Sequence, residues 1–188
     1  MNLLFIGDVV GQSGCDFLES RMYKLKREYD IDVTVVNGEN SAQGNGITPQ
    51  SYRQLLNMGA DVVTTGNHSF RRREAEELYD TNEQLLRPAN YPEGVMGHGV
   101  TYIDMCPYKI AVVNLMGTMY MEAVENPFNY VDKLLESIDT PNIIVDFHAE
   151  ATSEKKAMGF CLQKRCTAVL GTHTHVQTAD EMILGGHT

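Results

Sequence analysis

Two histidines separated by one residue follow a short apolar run near the end of the sequence. His173 and His175 belong to the stretch GTHTH, which comes directly after TAVL. Imidazole nitrogens bind metals and also act as general acids and bases. Residues two apart in an extended strand face the same side, so we expect both histidines to reach one site. The structural alternative is a pair of polar residues where a strand meets a loop.

Other apolar runs of the sequence also end in residues that can bind a metal or transfer a proton. In open α/β sheets, ligands bind at the carboxyl ends of the strands. Any single polar ending is more simply a turn residue or a helix cap, but five such endings predict one shared functional site. The residues at the other four ends are Asp8, Glu39 with Asn40, Asn67 with His68, and His148.

The chemical types of these residues restrict the metal. Two carboxylates, an amide carbonyl and several imidazoles make a mixed oxygen and nitrogen site without thiolate, which suits Mn, Fe or Zn better than Ca or a cysteine-bound structural zinc. There are more candidate ligands than one open catalytic metal uses. We therefore expect two divalent metal ions that share a bridging carboxylate, hold a hydroxide and clamp a phosphate.

The elements that must position these residues alternate along the chain. This alternation predicts an α/β domain with a partly parallel central sheet and no interdomain linker. The final stretch, 181–188, begins like one more strand and turn. Strands are predicted at 2–8, 32–39, 61–67, 99–105, 108–115, 142–149 and 167–173, and helices at 14–29, 47–59, part of 71–86, 129–138 and 153–165.

Composition excludes several classes of protein. The formal net charge of −10 argues against broad electrostatic binding to duplex nucleic acid, although a metal centre can still attract a small phosphorylated substrate. The apolar runs are too short to span a membrane and the first residues lack a signal-peptide pattern, so we expect a cytoplasmic protein. None of the four cysteines forms a C-x-x-C pair, and we interpret them as reduced structural thiols.

Five motifs, in this order and spacing, carry a family resemblance: GDVVG, NGEN, GNH, DFHAEATSEK and GTHTHVQTADE. Together they closely resemble the YmdB family of metallophosphoesterases, within the calcineurin-like superfamily, from Met1 to about Leu184. The resemblance implies a calcineurin-like α/β fold, with central sheets flanked by helices and the site at the carboxyl ends of the strands. Most calcineurin-like enzymes carry a histidine where this chain and its family have Val10.

The resemblance also implies a role for each candidate residue. Asn40 would contact the phosphate, and His68 would be the general acid that protonates the leaving oxygen. The metals would be iron or manganese, with zinc as an alternative. One metal would be bound by Asp8, Glu39 and His175, and the other by Glu39, Asn67, His148 and His173.

The implied activity is hydrolysis of cyclic nucleotides, such as 2′,3′-cyclic AMP, or of another small phosphodiester by attack of metal-bound hydroxide on phosphorus. A phosphomonoesterase with the same centre is one alternative. The other is a catalytically impaired, metal-containing regulatory protein. This second alternative rests on two departures from the family. Phe70 and Arg71 follow His68 where the family usually has an aromatic residue, commonly Trp, and then Asp, and the C-terminus is shorter than in the family.

Family members commonly continue beyond residue 188. We therefore expect residues 1–188 to form a single metallophosphoesterase domain that lacks the C-terminal strands of the family. A sheet edge uncovered in this way would lower stability or favour association with another chain, including a homo-oligomer.

Three further features have two interpretations each. Residues 114–128, rich in Met and aromatic residues, would form a mobile lid over a nucleotide base or a packed loop. The run at 71–73 would attract anionic substrate or begin a solvated helix. Glu150 and Thr152 could orient metal-bound imidazoles, which usually need a hydrogen-bond acceptor.

Overall fold

Two four-stranded sheets, rather than one central sheet, organise the chain. The structure is a computed structural model and describes every residue from Met1 to Thr188. One compact unit comprises residues 1–87 and 96–98, and the other comprises 88–95 and 99–188. The expectation of one central sheet is wrong because the fifth strand starts a new sheet with its own hairpin partner instead of pairing with the fourth.

The sheet of the first unit is parallel throughout, with strands in sequence order. A short 3₁₀ turn at Arg73–Ala75 precedes its third helix. Its strands are β1 (Leu3–Ile6), β2 (Val33–Asn37), β3 (Val62–Thr64) and β4 (Leu85–Leu86), and its helices are α1 (Gly11–Glu28), α2 (Pro49–Asn57) and α3 (Glu76–Thr81).

The sheet of the second unit is mixed. Its first two strands form an antiparallel hairpin, and the later pairs are parallel. The strands are β5 (Val100–Asp104), β6 (Lys109–Met116), β7 (Ile143–His148) and β8 (Ala168–Thr172), and the helices are α4 (Pro127–Glu136) and α5 (Thr152–Leu162).

Helix α2 begins and ends where its sequence predicts. The Thr48 side chain accepts a hydrogen bond from Ser51 N at 3.1 Å, and Ser51 Oγ accepts one from Thr48 N at 3.0 Å. Pro49 occupies the first helical position, where its missing N–H costs no hydrogen bond. Gly59 follows the helix with φ +103°, a conformation that favours glycine.

The core of the first unit explains how β2 presents its last residues. Leu18 and Met22 of α1 are buried in this core, as their spacing predicts. Gly38 follows β2, and a Cβ atom there would lie 2.7 Å from Leu55 Cδ1 and 2.9 Å from Val63 Cγ1. Glycine at this position therefore lets α2 pack closely beside the strand end that carries Glu39.

Sequence reasoning missed one strand and predicted another that the structure lacks. Part of 71–86 is helical, as predicted, and this helix ends at Thr81. Leu85–Leu86 forms the missed strand β4, because both leucines are fully buried beside β3. The strand expected at the start of 181–188 is absent, whereas the expected turn is present at residues 185–187. Thr188 ends this turn, where its hydroxyl donates to Cys166 O at 2.7 Å.

The second unit has buried polar groups on one face of β7. Ile143, Val145 and Phe147 belong to the apolar core with α4 and α5. The alternating positions include Asp146 and His148, which are also fully buried. Buried polar side chains need hydrogen-bond partners, so the partners of these two residues are informative. None of the five helices combines the length and the apolar character that crossing a lipid bilayer requires.

Candidate functional site

The predicted residues of the first unit lie just beyond the carboxyl ends of its first three strands. Asp8 follows β1, Glu39 and Asn40 follow β2, and Asn67 and His68 follow β3. These strands are parallel neighbours, so their carboxyl ends meet at one edge of the sheet. The prediction that polar residues gather at this edge is confirmed within this unit.

Asn40 connects the two carboxylates of this group. Its Nδ2 lies 3.4 Å from Asp8 Oδ1 and 3.2 Å from Glu39 Oε1. Glu39 is fully buried, whereas Asp8 is partly exposed. A buried carboxylate is costly unless hydrogen bonds and a cation compensate its lost hydration. The arrangement therefore suits a bound cation.

His68 is oriented by the same group. Its backbone N donates to Glu39 Oε2 at 3.1 Å. Its ring Nδ1 lies 2.9 Å from Asn40 Oδ1 and 3.2 Å from Glu39 Oε1. Both oxygens only accept hydrogen bonds, so Nδ1 carries the proton that they share. Nε2 is then the ring nitrogen through which His68 can exchange a proton. Asn67, the neighbouring residue, is partly buried at the same strand end.

In the second unit, His148 ends β7 and is fully buried beside Thr172, its register partner on β8. His148 Nδ1 lies 2.9 Å from Thr172 Oγ1, and this hydroxyl donates to Asp146 Oδ1 at 2.7 Å. Because the hydroxyl proton is directed to the carboxylate, the hydroxyl oxygen accepts from His148 Nδ1–H. The lone pair of the ring is consequently on Nε2.

His173 faces that nitrogen. Its Nδ1 lies 3.1 Å from His148 Nε2, and the rings meet edge to face with centroids 4.8 Å apart. On its far side, His173 Nε2 lies 2.9 Å from Glu150 Oε2, an acceptor that fixes the proton on Nε2. A separation of 3.1 Å also suits two imidazole nitrogens that bind the same metal ion. The pair has the form of two ligands of one metal, each oriented by an oxygen acceptor.

The structure corrects the expectation that His173 and His175 share one face of an extended strand. Strand β8 ends at Thr172, and both histidines have left-handed backbones, with φ +96° at His173 and +53° at His175. His175 is exposed, whereas His173 is partly buried. Left-handed residues other than glycine cost about 1–3 kcal/mol each and cluster at functional sites. The pair is therefore presented by a turn.

Sequence reasoning missed Asp146 and Thr172. A signal for Asp146 was present, because it lies two residues before His148 in an otherwise apolar strand and so shares its face. Thr172 gave no such signal, since threonine is common in strands. The prediction for Glu150 as a histidine acceptor is confirmed, but Thr152 is exposed at the beginning of α5.

The donors of the two groups suit divalent metal ions, and the cysteines do not add to them. All four cysteines are free thiols. Burial raises the pKa of Cys15, and it raises the pKa of Cys166 to about 11. These two thiols stay protonated near neutral pH, whereas a metal-ligating cysteine is a thiolate. Oxygen and nitrogen donors remain, as the sequence predicted.

Comparison with known proteins agrees with this chemistry. A Bacillus subtilis (strain 168) protein named 2′,3′-cyclic-nucleotide 2′-phosphodiesterase is 46% identical over 186 residues, which cover 98% of this chain and 70% of that protein. The crystal structure of a hypothetical protein from Thermus thermophilus matches with a TM-score of 0.94 and 39% identity, over 99% of this chain and 73% of that one. The crystal structure of a novel phosphatase from Mycoplasma pneumoniae matches with a TM-score of 0.93 and 33% identity, over 98% and 68%.

These similarities confirm the calcineurin-like α/β fold and the resemblance carried by the five motifs. The model of the YmdB-like protein family matches residues 4–188. This chain therefore belongs to the YmdB-like protein family.

Proposed function

We propose that this chain is a metal-dependent phosphoric ester hydrolase, and more narrowly a phosphodiesterase that acts on cyclic nucleotides such as 2′,3′-cyclic AMP. The observation that supports a metal requirement is the pair His148 Nε2 and His173 Nδ1, which lie 3.1 Å apart, each ring being oriented by an oxygen acceptor on its other nitrogen. The choice of substrate is supported by the name of the Bacillus subtilis relative at 46% identity.

The proposed ligands come from both groups of donors. When bound, two divalent ions supply positive charge to the phosphate and generate a nucleophile from water near neutral pH. Oxygen-rich ligands with imidazoles favour iron or manganese, with zinc as the alternative. Following the family pattern, one ion would be held by Asp8, Glu39 and His175, and the other by Glu39, Asn67, His148 and His173.

Asn40 and His68 are the proposed contacts to substrate. Asn40 would donate to a phosphate oxygen, exchanging part of its present contact with the carboxylates. His68 would protonate the leaving alkoxide from Nε2, because its Nδ1–H is held by Asn40 Oδ1 and Glu39 Oε1. A ring anchored at one nitrogen delivers a proton from the other in a fixed direction.

The neighbourhood of His68 supports an active enzyme over an impaired one. Phe70, at the position where the family commonly has Trp, packs against Tyr79 with ring centroids 5.0 Å apart. Arg71 is exposed, and its backbone N donates to His68 O at 3.0 Å. Neither residue displaces the contacts that orient His68, so the substitutions are compatible with catalysis.

Phosphomonoesterase activity is the second candidate, favoured by the name of the Mycoplasma pneumoniae structure, a novel phosphatase. The two activities differ in the charge and in the number of ester bonds at phosphorus. Parallel assays with 2′,3′-cyclic AMP and AMP at equal concentration separate them. Faster turnover of the cyclic diester is expected.

The experiment that tests the proposal combines metal analysis with these assays after reconstitution with Mn²⁺ or Fe²⁺. We expect bound metal and hydrolysis of 2′,3′-cyclic AMP, both lost in Asp8→Ala. His68→Ala should retain metal and lose turnover. Asp139→Ala, which removes an exposed carboxylate, is the matched control and should change neither. Metal binding without turnover would contradict the proposed enzymatic activity. Failure to bind metal would contradict the proposed metal site.

A further inference from the structure

A cavity of about 350 Å³ lies within the first unit, between the beginning of α1 and the loop that follows β2. One wall is formed by residues 10–13 and the other by residues 42–45, and Asn40 also lines the cavity. Small-molecule sites in proteins begin at about 300 Å³, so the cavity is large enough for an organic ligand.

Asn40 connects this cavity to the group that contains Asp8, Glu39 and His68. Its side chain lines the cavity and contacts all three residues. A ligand whose phosphate meets Asn40 would therefore extend its remaining part between the two walls. We propose that this cavity binds the nucleoside of a cyclic nucleotide substrate, an inference that rests on the proposed function.

The lining has the chemistry that a nucleoside requires. Val10 is apolar yet 47% exposed, which offers a contact surface for a ribose or a base. Gln43 and Asn45 are exposed amides that can both donate to and accept from the edge of a base.

The two walls are held together by the backbone. Gly11 N donates to Asn40 O at 2.8 Å, which ties the start of α1 to the residue after Glu39. At the far side of the loop, Ala42 N donates to Gly46 O at 3.0 Å. These two hydrogen bonds fix the backbone of both walls.

Arg72 positions the second wall. Its guanidinium donates to the backbone oxygens of Gln43, Gly44 and Asn45, the last at 2.9 Å. Residues 44–46 all have left-handed backbones, with φ between +69° and +84°. Hydrogen bonds from a charged donor offset the cost of this conformation. Of the run at 71–73, this arginine is thus committed to the loop, and we assign it as a positioning residue.

Filling the cavity tests the proposal. Ser13 is exposed on α1 and lines the cavity, whereas Ser20 is exposed on the same helix outside it. We expect Ser13→Phe to raise KM for 2′,3′-cyclic AMP by about tenfold or more, in the range that a blocked pocket contact produces. Turnover of methyl p-nitrophenyl phosphate, a diester without a nucleoside, should stay unchanged, as should both activities in Ser20→Phe.

Equal losses with both diesters in Ser13→Phe would overturn the proposal, and so would no loss with either. Calorimetric titration with adenosine 3′-phosphate and with inorganic phosphate separates this inference from the proposed function. If the parent protein hydrolyses neither diester, the proposed function fails. In that case, weaker binding of adenosine 3′-phosphate but not of inorganic phosphate in Ser13→Phe would still support the cavity as a nucleoside site. Unchanged binding of adenosine 3′-phosphate would contradict it.

Arg72→Ala provides a second test, with Arg73→Ala as the control on the exposed neighbour. Loss of the loop anchor should raise KM for 2′,3′-cyclic AMP with little change in kcat, and Arg72→Lys should restore part of the loss. A fall in kcat alone, or an equal effect of Arg73→Ala, would contradict the positioning role.

Discussion

His148 Nδ1 lies 2.9 Å from the hydroxyl of Thr172, its register partner across the parallel pair β7 and β8. The hydroxyl donates its hydrogen bond to Asp146 Oδ1, so its oxygen can only accept a hydrogen bond from the imidazole. One hydrogen bond from a neighbouring strand thereby selects the tautomer whose Nε2 can bind a metal. This arrangement makes Thr172 as informative about the site as the histidine itself.

Thr172→Val should weaken metal binding while preserving the shape of the strand. Valine has nearly the same volume but cannot accept from His148 Nδ1–H, and loss of such an acceptor typically costs about 10- to 100-fold in metal affinity. Titration with Mn²⁺ measures the change. Thr152→Val, at an exposed threonine at the beginning of α5, is the matched control. Equal affinities of the two variants would contradict this role for Thr172.

Asn40→Asp should impair turnover because it removes the amide donor proposed to contact the phosphate. The substitution replaces the Nδ2 donor between Asp8 and Glu39 by a third carboxylate oxygen, which repels both. It leaves an acceptor for His68 Nδ1. We expect a lower kcat for 2′,3′-cyclic AMP, with a smaller loss in Asn40→Ser, which adds no charge. Kinetics at several pH values check this, and an unchanged kcat in Asn40→Asp would count against Asn40 as a contact to phosphate.

Much of the first unit's donor group could be predicted because it depends on a repeated local pattern. Parallel strands with polar residues at their carboxyl ends meet at one edge, so Asp8, Glu39 and His68 follow from the alternation alone. Contacts such as those of Arg72 could not be predicted, since they depend on left-handed loop residues whose carbonyl directions no periodicity encodes.

The turn that carries His173 and His175 shows a second limit of sequence reasoning. The period of two holds only while the backbone stays extended, and β8 ends one residue before His173. Residues Leu85–Leu86 show the converse. Their neighbours favour a helix, but complete burial beside β3 makes them a strand. In both places tertiary context overrides the local pattern.

Glu154→Gln should loosen the loop after β6. Glu154 is buried, with only 5% of its surface exposed. Its carboxylate accepts hydrogen bonds from Thr118 N at 2.9 Å, from Thr118 Oγ1 at 3.1 Å and from Met119 N at 3.3 Å. In the glutamine variant an NH₂ group replaces one of the two carboxylate oxygens, and this donor would face a backbone N–H of the loop. This mismatch should cost about 1–3 kcal/mol of unfolding free energy. These contacts support the packed form of residues 114–128 over a mobile lid.

Limited proteolysis within that loop and urea unfolding measure the effect of Glu154→Gln. Glu136→Gln, at the exposed end of α4, is the control. Parent-like stability and cleavage of Glu154→Gln would show that the three hydrogen bonds do not hold the loop.

Two buried tyrosines of the first unit should respond in opposite ways to loss of the hydroxyl. Tyr79 OH donates to Ser69 O at 2.9 Å, whereas Tyr52 OH has no hydrogen-bond partner among the protein groups. Tyr79→Phe should lower the unfolding free energy by about 1 kcal/mol or more, because it leaves a buried acceptor without this donor. Tyr52→Phe should leave it unchanged or raise it. Urea unfolding measures the unfolding free energy of both variants. A larger decrease in Tyr52→Phe than in Tyr79→Phe would contradict the prediction.

Stability should fall at alkaline pH in part through Cys166. Burial raises the pKa of this thiol from 9.0 to about 11 in the folded chain. The folded state therefore holds the proton more tightly than the unfolded state. The resulting contribution of Cys166 to the unfolding free energy is fully present below about pH 9 and is lost as the pH rises to about 11. Burial likewise raises the pKa of Tyr52 from 10.0 to about 12, which extends the loss to higher pH.

Urea unfolding in reducing buffer at pH 8, 9, 10 and 11 tests this linkage. Cys166→Ala should lose less stability than the parent between pH 9 and 11, whatever its stability at pH 8, because no thiol is left to ionise on unfolding. Cys106→Ala removes an exposed thiol and should keep the parent's dependence on pH. If Cys166→Ala and the parent lose equal stability over this interval, burial of Cys166 does not contribute to the alkaline limit.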